Sequence, residues 1–309
     1  MSTDQPVTVP AEAVTTTATR EHAVYRRRRF RGIGRQIVLQ ALCLCVTITV
    51  LFPIIYLLGL ALDGRSIAKP DGLNLIPPSP SLNAFSQVIR QPTSNPFSFV
   101  DLAISSLELA LGTAFISVGF GVLAAYAFSR LKFRLRSVLM ITVLGVLMLP
   151  SVATITPLYV LLTRITFGGF NLGHSIPGVA LALISGALPF AIWNLKGYLD
   201  TIPKDIEEAA TIDGCSRNQA FIHVILPLAM PAVAVTAFLG FVAGWTDFYF
   251  SWMFLDPSKT ETLTMALVGM QGTYGATPWN LFSAFAILVA VPVSLFYLVF
   301  QRWIIGGLA

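Results

Sequence analysis

Six long apolar runs constrain this chain more than anything else in it. They cover Ile37–Leu62, Leu102–Ser129, Ser137–Thr163, Ile176–Leu195, Leu228–Leu255 and Asn280–Gln301. Each reaches the ~20 residues an α-helix needs to cross the hydrocarbon layer of a bilayer. Four contain no charged residue; the second carries Glu108 and the fifth Asp247. Runs of this kind leave no polar stripe for water. Charged residues make up 11% of the chain, under half the roughly 25% of a soluble domain. A globular cytosolic enzyme, a disordered chain and a collagen-like chain are all excluded. The fold class is all-α: a polytopic membrane protein with six transmembrane helices. Pro53, Gly112, Pro150, Pro157, Pro189, Gly240, Gly244 and Pro292 fall inside the runs. Membrane helices carry such residues when neighbours satisfy the freed backbone groups, so kinked, closely packed helices are expected.

The basic residues orient the spans. Arg20, Arg26 to Arg29, Arg31 and Arg35 precede the first run, and Arg130, Lys132, Arg134 and Arg136 follow the second. Lys196, Lys204 and Arg217 follow the fourth, and Arg302 the last, so one side holds 15 of the 20 Lys and Arg. The positive-inside rule makes that side cytoplasmic, with both termini in the cytosol. The arginine run at 26–31 then reads as a topology anchor beside lipid headgroups, not as a nucleic-acid site. The first run is too long for a signal peptide and reads as an uncleaved anchor.

Residues 1–35 form a cytoplasmic tail, whose first twenty-odd residues with Pro6 and Pro10 read as flexible. Residues 36–99 form the first helix and an external loop, 100–305 a five-helix core, and 306–309 a short tail. Prolines 70, 77, 78, 80, 92 and 96 predict an irregular, extended loop over Asp63–Val100. In Asp256–Trp279, helical spacing of Leu263, Leu267, Met270 and Tyr274 predicts a segment that lies on the membrane or re-enters it. Metal and disulfide chemistry find few ligands. Cys43 and Cys45 point to different helix faces, Cys215 is remote, and only His22, His174 and His223 are available. The two later histidines read as satisfied polar residues.

The most defined polar segment lies between spans four and five, over residues 200–227. Pro203 suits the first position of a helix, and Asp205, Glu207 and Glu208 complement its positive end. Gly214 supplies a left-handed C′ stop. Ser216 and Gln219 form a capping box for a second helix, with an apolar stripe through Ala220, Phe221, Val224 and Ile225, and Pro227 ends it. On the first helix Ile206, Ala209 and Ala210 share a face that allows close backbone approach. Two short capped helices around a glycine turn are more than a connector needs; they predict a docking surface.

The spacing Glu208-Ala209-Ala210, three residues, Gly214, nine residues, Val224-Ile225-Leu226-Pro227 resembles the EAA signature of ABC-importer permeases. Val224 stands where that pattern has Ile, and Cys215 where Ala is common. Ile202-Pro203, Ile212-Asp213-Gly214, the segment from Leu123 to Arg130, Pro157-Leu158-Tyr159, Trp245-Thr246-Asp247-Phe248 and Phe300-Gln301-Arg302 are similar to the carbohydrate, MalG-like branch. The resemblance spans about residues 37 to 305 and implies a type I ABC-importer permease fold. It also implies that Glu208, Ala209, Ala210, Gly214, Leu226 and Pro227 couple the chain to a cytosolic ATPase dimer. A second homologous permease would complete a heterodimer, and an extracytoplasmic sugar-binding protein would deliver a carbohydrate. The chain contains no G-x-x-x-x-G-K-[S/T] and no lysine directly after a glycine, so it lacks a phosphate-cradling loop. It is read as a non-enzyme without a bound cofactor, with ATP and Mg on the partner.

Glu108 and Asp247 cost roughly 2.5–3.5 kcal/mol each to insert, so each calls for a partner or a cavity. Both lie ~10–12 Å below the external end of their runs by helical rise. A shared polar cavity with Trp245 and Tyr249 would suit sugar hydroxyls; helix or subunit fastening is the plainer reading. An ion-coupled secondary transporter working through either carboxylate is the alternative, though no internal repeat supports it.

Overall fold

The structure is a computed structural model. It describes the backbone of residues 11–65, 72–271 and 277–306, and side chains from Gly34 onward except Phe167 and residues 304–306. Pro6, Pro10, Pro70 and Tyr274 lie outside the described residues, as do the side chains of Arg20 and the 26–31 arginine run. The chain divides into two compact units, residues 1–56 and 57–309. The second begins well before residue 100 because the loop over Asp63–Val100 folds onto the core helices, as described below.

In the first unit, helix α1 (Ala11–Ala61, continuing into the second unit) is helical from Ala11, where a flexible tail is expected. Residues 11–31 hold neither Gly nor Pro, so nothing in them interrupts the ladder. From Gly34 to Ile55 its side chains are exposed. Thr47 and Thr49 donate their hydroxyls to the carbonyls of Cys43 and Cys45, each at 2.8 Å. The helix therefore hides its polar atoms against itself and presents an apolar surface suited to lipid.

The second unit is built on α3 (Phe99–Arg130), α6 (Ile176–Thr201) and α10 (Met230–Trp245). Ser98 and Asp101 close a capping box at the start of α3. Small residues set the approach of α10 to α3. A Cβ on Gly244 would lie 2.6 Å from Ala110 Cα, and one on Gly240 3.0 Å from Ala114 Cα. Without a hydrophobic drive between helices in lipid, such small-residue ridges let dispersion between backbones hold the pair. Helix α13 (Trp279–Gly306) closes the other side of α10, with Phe241 and Phe296 stacked at 4.2 Å.

Two of the expected spans are broken. The third, expected as one helix over Ser137–Thr163, is α4 (Arg136–Leu147) and α5 (Ser151–Thr163), bent by 103°. Pro150 at the break has no N–H and drives Leu149 away from helical backbone angles. The fifth, expected over Leu228–Leu255, bends by 74° before Met230 and stops at Trp245, followed by α11 (Tyr249–Phe254). Among the described residues four helices are long and apolar enough to cross a bilayer, and six spans result when each bent pair counts as one.

The loop over Asp63–Val100 is less irregular than its prolines suggest. Asn83–Arg90 forms α2, in the proline-free window between Pro80 and Pro92, and buries Ala84 and Val88 one turn apart. Asp63 bridges Pro80, and Asn95 donates its side-chain amide to Glu261 at 2.9 Å. Leu263–Gly269 forms α12, which packs onto the core: Leu263, Met265 and Ala266 are buried, and the Leu263 N–H donates to Ser106 Oγ at 2.8 Å. A two-residue antiparallel ladder, β1 (Thr166–Phe167) with β2 (Phe170–Asn171), turns the chain between α5 and α6.

Candidate coupling site

Helix α7 (Lys204–Ile212) starts after Pro203 and ends in a Schellman turn. Gly214 has φ +92°, its N–H donates to the Thr211 carbonyl at 3.1 Å, and the Cys215 N–H donates to the Ala210 carbonyl at 3.0 Å. These bonds fill the last carbonyls of the helix, and only a residue without a Cβ takes that φ freely. Ser216 and Gln219 then cap α8 (Arg217–Ala220) reciprocally. The second helix does not stop at Pro227. A π turn over Phe221–Ile225 carries it into α9 (Leu226–Leu228), with the Leu226 N–H donating to the Phe221 carbonyl, five residues back. The wider turn accommodates a proline ring that would clash with the His223 carbonyl in a regular helix. The chain then bends at Ala229 into α10.

The face of this elbow divides sharply. Ala210, Ala220 and Ile225 are buried inside it, and Leu226 is half-buried. Glu208, Ala209, Gly214 and Pro227 are exposed, and so are Ile212 at 86% and Ile222 at 53%. Isoleucines that open sit on a short polar loop at an apolar cost that a lone connector has no reason to bear.

The base of the elbow is fastened to the last turn of α3. The Tyr126 hydroxyl donates to Glu207 Oε1, and Arg130 Nε lies 3.2 Å from Glu207 Oε2, an ion pair off the line of a hydrogen bond. Arg130 Nη2 donates to the Ile202 carbonyl at 2.9 Å, and Ser129 Oγ to Asp200 Oδ1 at 2.7 Å. The side chains of Arg130 and Glu207 are only 5% and 15% exposed. The Tyr126 ring also packs on Phe221 of the second helix, 4.5 Å between centroids. Sequence reasoning missed this fastening. It assigned Glu207 only to the helix dipole and treated the Tyr126–Arg130 stretch as a similarity without a role. Eighty residues separate the partners, and no spacing rule joins them.

Asp247, Trp245, Tyr249, Glu108 and His174 sit at the opposite end of the core, whereas His223 lies in the elbow. Asp247 lies in the gap between α10 and α11, where its carboxylate accepts the N–H groups of Phe250 (3.4 Å) and Ser251 (2.8 Å) and the Ser251 hydroxyl (2.8 Å). It caps α11. Trp245 is buried, donates Nε1 to the Val289 carbonyl at 3.2 Å, and its own carbonyl accepts the Thr264 hydroxyl at 3.1 Å. Tyr249 is exposed, and Glu108 is exposed on α3. Among the described residues no bond joins Glu108 to Asp247. His174 Nδ1 lies 3.3 Å from the Phe254 carbonyl and His223 Nδ1 3.1 Å from that of Gln219.

Residues 117–308 match the family described as the binding-protein-dependent transport system inner membrane component. The trehalose transport system permease protein SugB of Mycobacterium tuberculosis is 33% identical over 84% of this chain and 90% of its own length. The maltose/maltodextrin permease protein MalG of Yersinia pestis is 30% identical over 92% and 93%. The trehalose/maltose permease protein MalG of Thermococcus litoralis is 29% identical over 89% and 95%. Among solved structures, a chain of a bacterial ABC transporter involved in importing the acidic polysaccharide alginate superposes with a TM-score of 0.67 at 20% identity, over 90% of this chain and 98% of that one. The fold is thus that of a type I ABC-importer permease, multi-pass in the membrane. The chain belongs to the family of inner-membrane components of binding-protein-dependent transport systems.

Proposed function

We propose that this chain is one of two permease subunits of an ABC importer for a carbohydrate, and that residues 200–227 couple it to a separate ATPase. The observation that carries the coupling is the elbow itself. Its turn is closed by a Schellman motif, its outer face leaves Ile212 and Ile222 without cover, and its base is fastened to α3 through Glu207 and Arg130. A partner that closes on ATP would cover the isoleucines and push the elbow; the buried ion pair would pass that push into α3, and the bend at Ala229 into α10. In this reading Glu208, Ala209, Ala210, Gly214, Leu226 and Pro227 shape the docking face, ATP and Mg stay on the partner dimer, and both termini lie in the cytosol. A second, similar permease completes the pathway, and an extracytoplasmic binding protein brings the cargo. Carbohydrate as cargo is supported by the trehalose and maltose systems to which the relatives belong.

The test is Gly214→Val. A β-branched residue at φ +92° strains the turn by upwards of about 1 kcal/mol, while the spans are untouched. Membrane insertion should be normal, and both uptake and copurification of the ATPase should fall. Normal uptake with the ATPase still bound would refute coupling through this loop. Uptake abolished by a protonophore while ATP stays high would instead favour ion-driven transport.

A further inference from the structure

One carboxylate on α3 has no counter-charge in this chain. Ion pairs among the described residues join Asp63 to Arg65, Glu207 to Arg130, Asp200 to Lys196 and Asp256 to Lys259, and none reaches Glu108. Glu108 is exposed, nine residues past the start of a 32-residue helix. That places it about 14 Å along a helix about 48 Å long, inside a ~30 Å hydrocarbon layer centred on it.

The carboxylate stands in an apolar row. Val100, Ile104, Glu108, Leu111, Phe115 and Gly119 follow one another at spacings of four or three, so they share one side of α3, and all six are exposed. The opposite side, through Leu102, Leu109 and Thr113, is buried. Phe115 is 82% exposed, and a Cβ placed on Gly119 one turn further would meet nothing within 4 Å. A protruding ring beside a bare stretch of backbone is the relief that a facing helix fills, and four–three spacing is that of a helix–helix seam. Lipid does not suit the row, because an ionisable group within a membrane turns to a cavity or pairs with an opposite charge. A wet cavity does not suit it either, since every other side chain in the row is apolar.

Charge also restricts who can supply the facing helix. The six apolar runs of this chain hold no Lys, Arg or His. No span of a second copy could therefore bring a cation to the depth of Glu108. Two copies related by a two-fold axis along the membrane normal would set Glu108 against Glu108 at equal depth, and like charges facing each other at an interface are strongly disfavoured. The facing helix has to come from a different chain, and it has to carry a basic residue.

We infer that the Val100–Gly119 side of α3 is the seam on which the second permease packs a helix, and that Glu108 receives a Lys or Arg from it. The inference rests on the two-permease reading above. It adds the face that is used and makes Glu108 the residue that selects a different chain over a second copy of this one.

The experiment purifies the complex of both permeases and the ATPase through a tag on this chain, and measures the second permease recovered per tagged chain at equal membrane levels. Glu108→Lys should lower recovery at least about tenfold, since it sets two cations together. Glu108→Gln, which keeps the shape and drops the charge, should lower it about threefold or more, and Glu108→Asp should stay within about twofold. Suppressors of Glu108→Lys should replace a Lys or Arg within a span of the second permease. A photoreactive benzoylphenylalanine at Leu111, in an otherwise unaltered chain, should form its adduct with the second permease. Full recovery with Glu108→Lys, or recovery with Glu108→Gln equal to the unaltered chain, overturns the charge pairing. An adduct from Leu111 to lipid alone, or to another copy of this chain, overturns the seam. If the unaltered chain recovers no second permease at all, the two-permease reading itself falls, and this inference with it.

Discussion

At its inner end the fifth span turns through 74° and runs back into an elbow whose outer surface meets nothing in this chain. At its outer end the same span stops at Trp245, and polar groups at the break find partners within the chain. Asp247 accepts three bonds from Phe250 and Ser251, the Trp245 carbonyl accepts Thr264, and Trp245 Nε1 reaches Val289. Both breaks interrupt a membrane helix, and both must satisfy the backbone groups that an interruption frees. They differ in what is left over. The outer break bonds its carboxylate and indole within the chain; the inner one is closed at its turns and fastened at its base, yet keeps Ile212 and Ile222 in the open. A segment with rigid internal bonds and an uncovered apolar tip is built to be pushed by something else.

Substitutions can break or sharpen this contrast. Arg130→Met should have the largest effect on stability, about 3 kcal/mol, because it leaves Glu207 half-buried without its counter-charge. Arg130→Met with Glu207→Leu should recover more than half of that loss in a double-mutant cycle of denaturant unfolding in detergent. If the two losses simply add, the pair does not fasten the elbow. At the outer end, Asp247→Ala should cost about 1–2 kcal/mol, as the loss of a helix cap does, and speed amide exchange at Ser251. Asp247→Asn, which keeps one acceptor oxygen, should cost less. An equal loss in both would mean that charge, not capping, is what Asp247 supplies.

A third prediction concerns pH. Burial pushes the Glu261 carboxyl above its ordinary value of 4.5, against the opposing bond from Asn95. The folded chain then binds this proton more tightly than the unfolded chain does. The stability it contributes is complete below 4.5 and is lost as pH rises through the raised value. Glu261→Gln should remove that slope, so the variant becomes the more stable form above the window. Parallel melting curves for the two proteins across acid and neutral pH would contradict this. The smallest expected effect on the fold is that of Ile212→Ser, within about 0.5 kcal/mol, since the side chain touches little. Its effect on ATPase copurification should nonetheless be large. A variant that copurifies normally would dissolve the contrast between the two breaks.

Much of the elbow was legible because its determinants are local. Gly214, Ser216 and Gln219 each act within one turn, and the observed caps are the ones their positions dictate; Pro203 stands one residue earlier than expected, at the N-cap and not at the first helical position. Pro227 was misplaced as a terminator because a π turn can absorb a proline, and nothing in the residues before it announces one. Asp247 carried three readings in the sequence, cargo contact, fastening and ion coupling, since a carboxylate in an apolar run signals only that a partner is needed. Its partners turned out to be three and four residues away.

The sequence by itself determined that this chain lies in a membrane and where a capped loop of two short helices sits. Run length, charge and turn chemistry are properties of neighbours along the chain. Tertiary structure decided that Arg130 and Tyr126 grip Glu207, that Ala110 and Ala114 receive Gly244 and Gly240, and that Glu108 is left on the exposed side of α3. Those outcomes depend on which helices come to lie side by side. In lipid that choice rests on backbone approach and on polar groups seeking partners, and neither can be read from one helix alone.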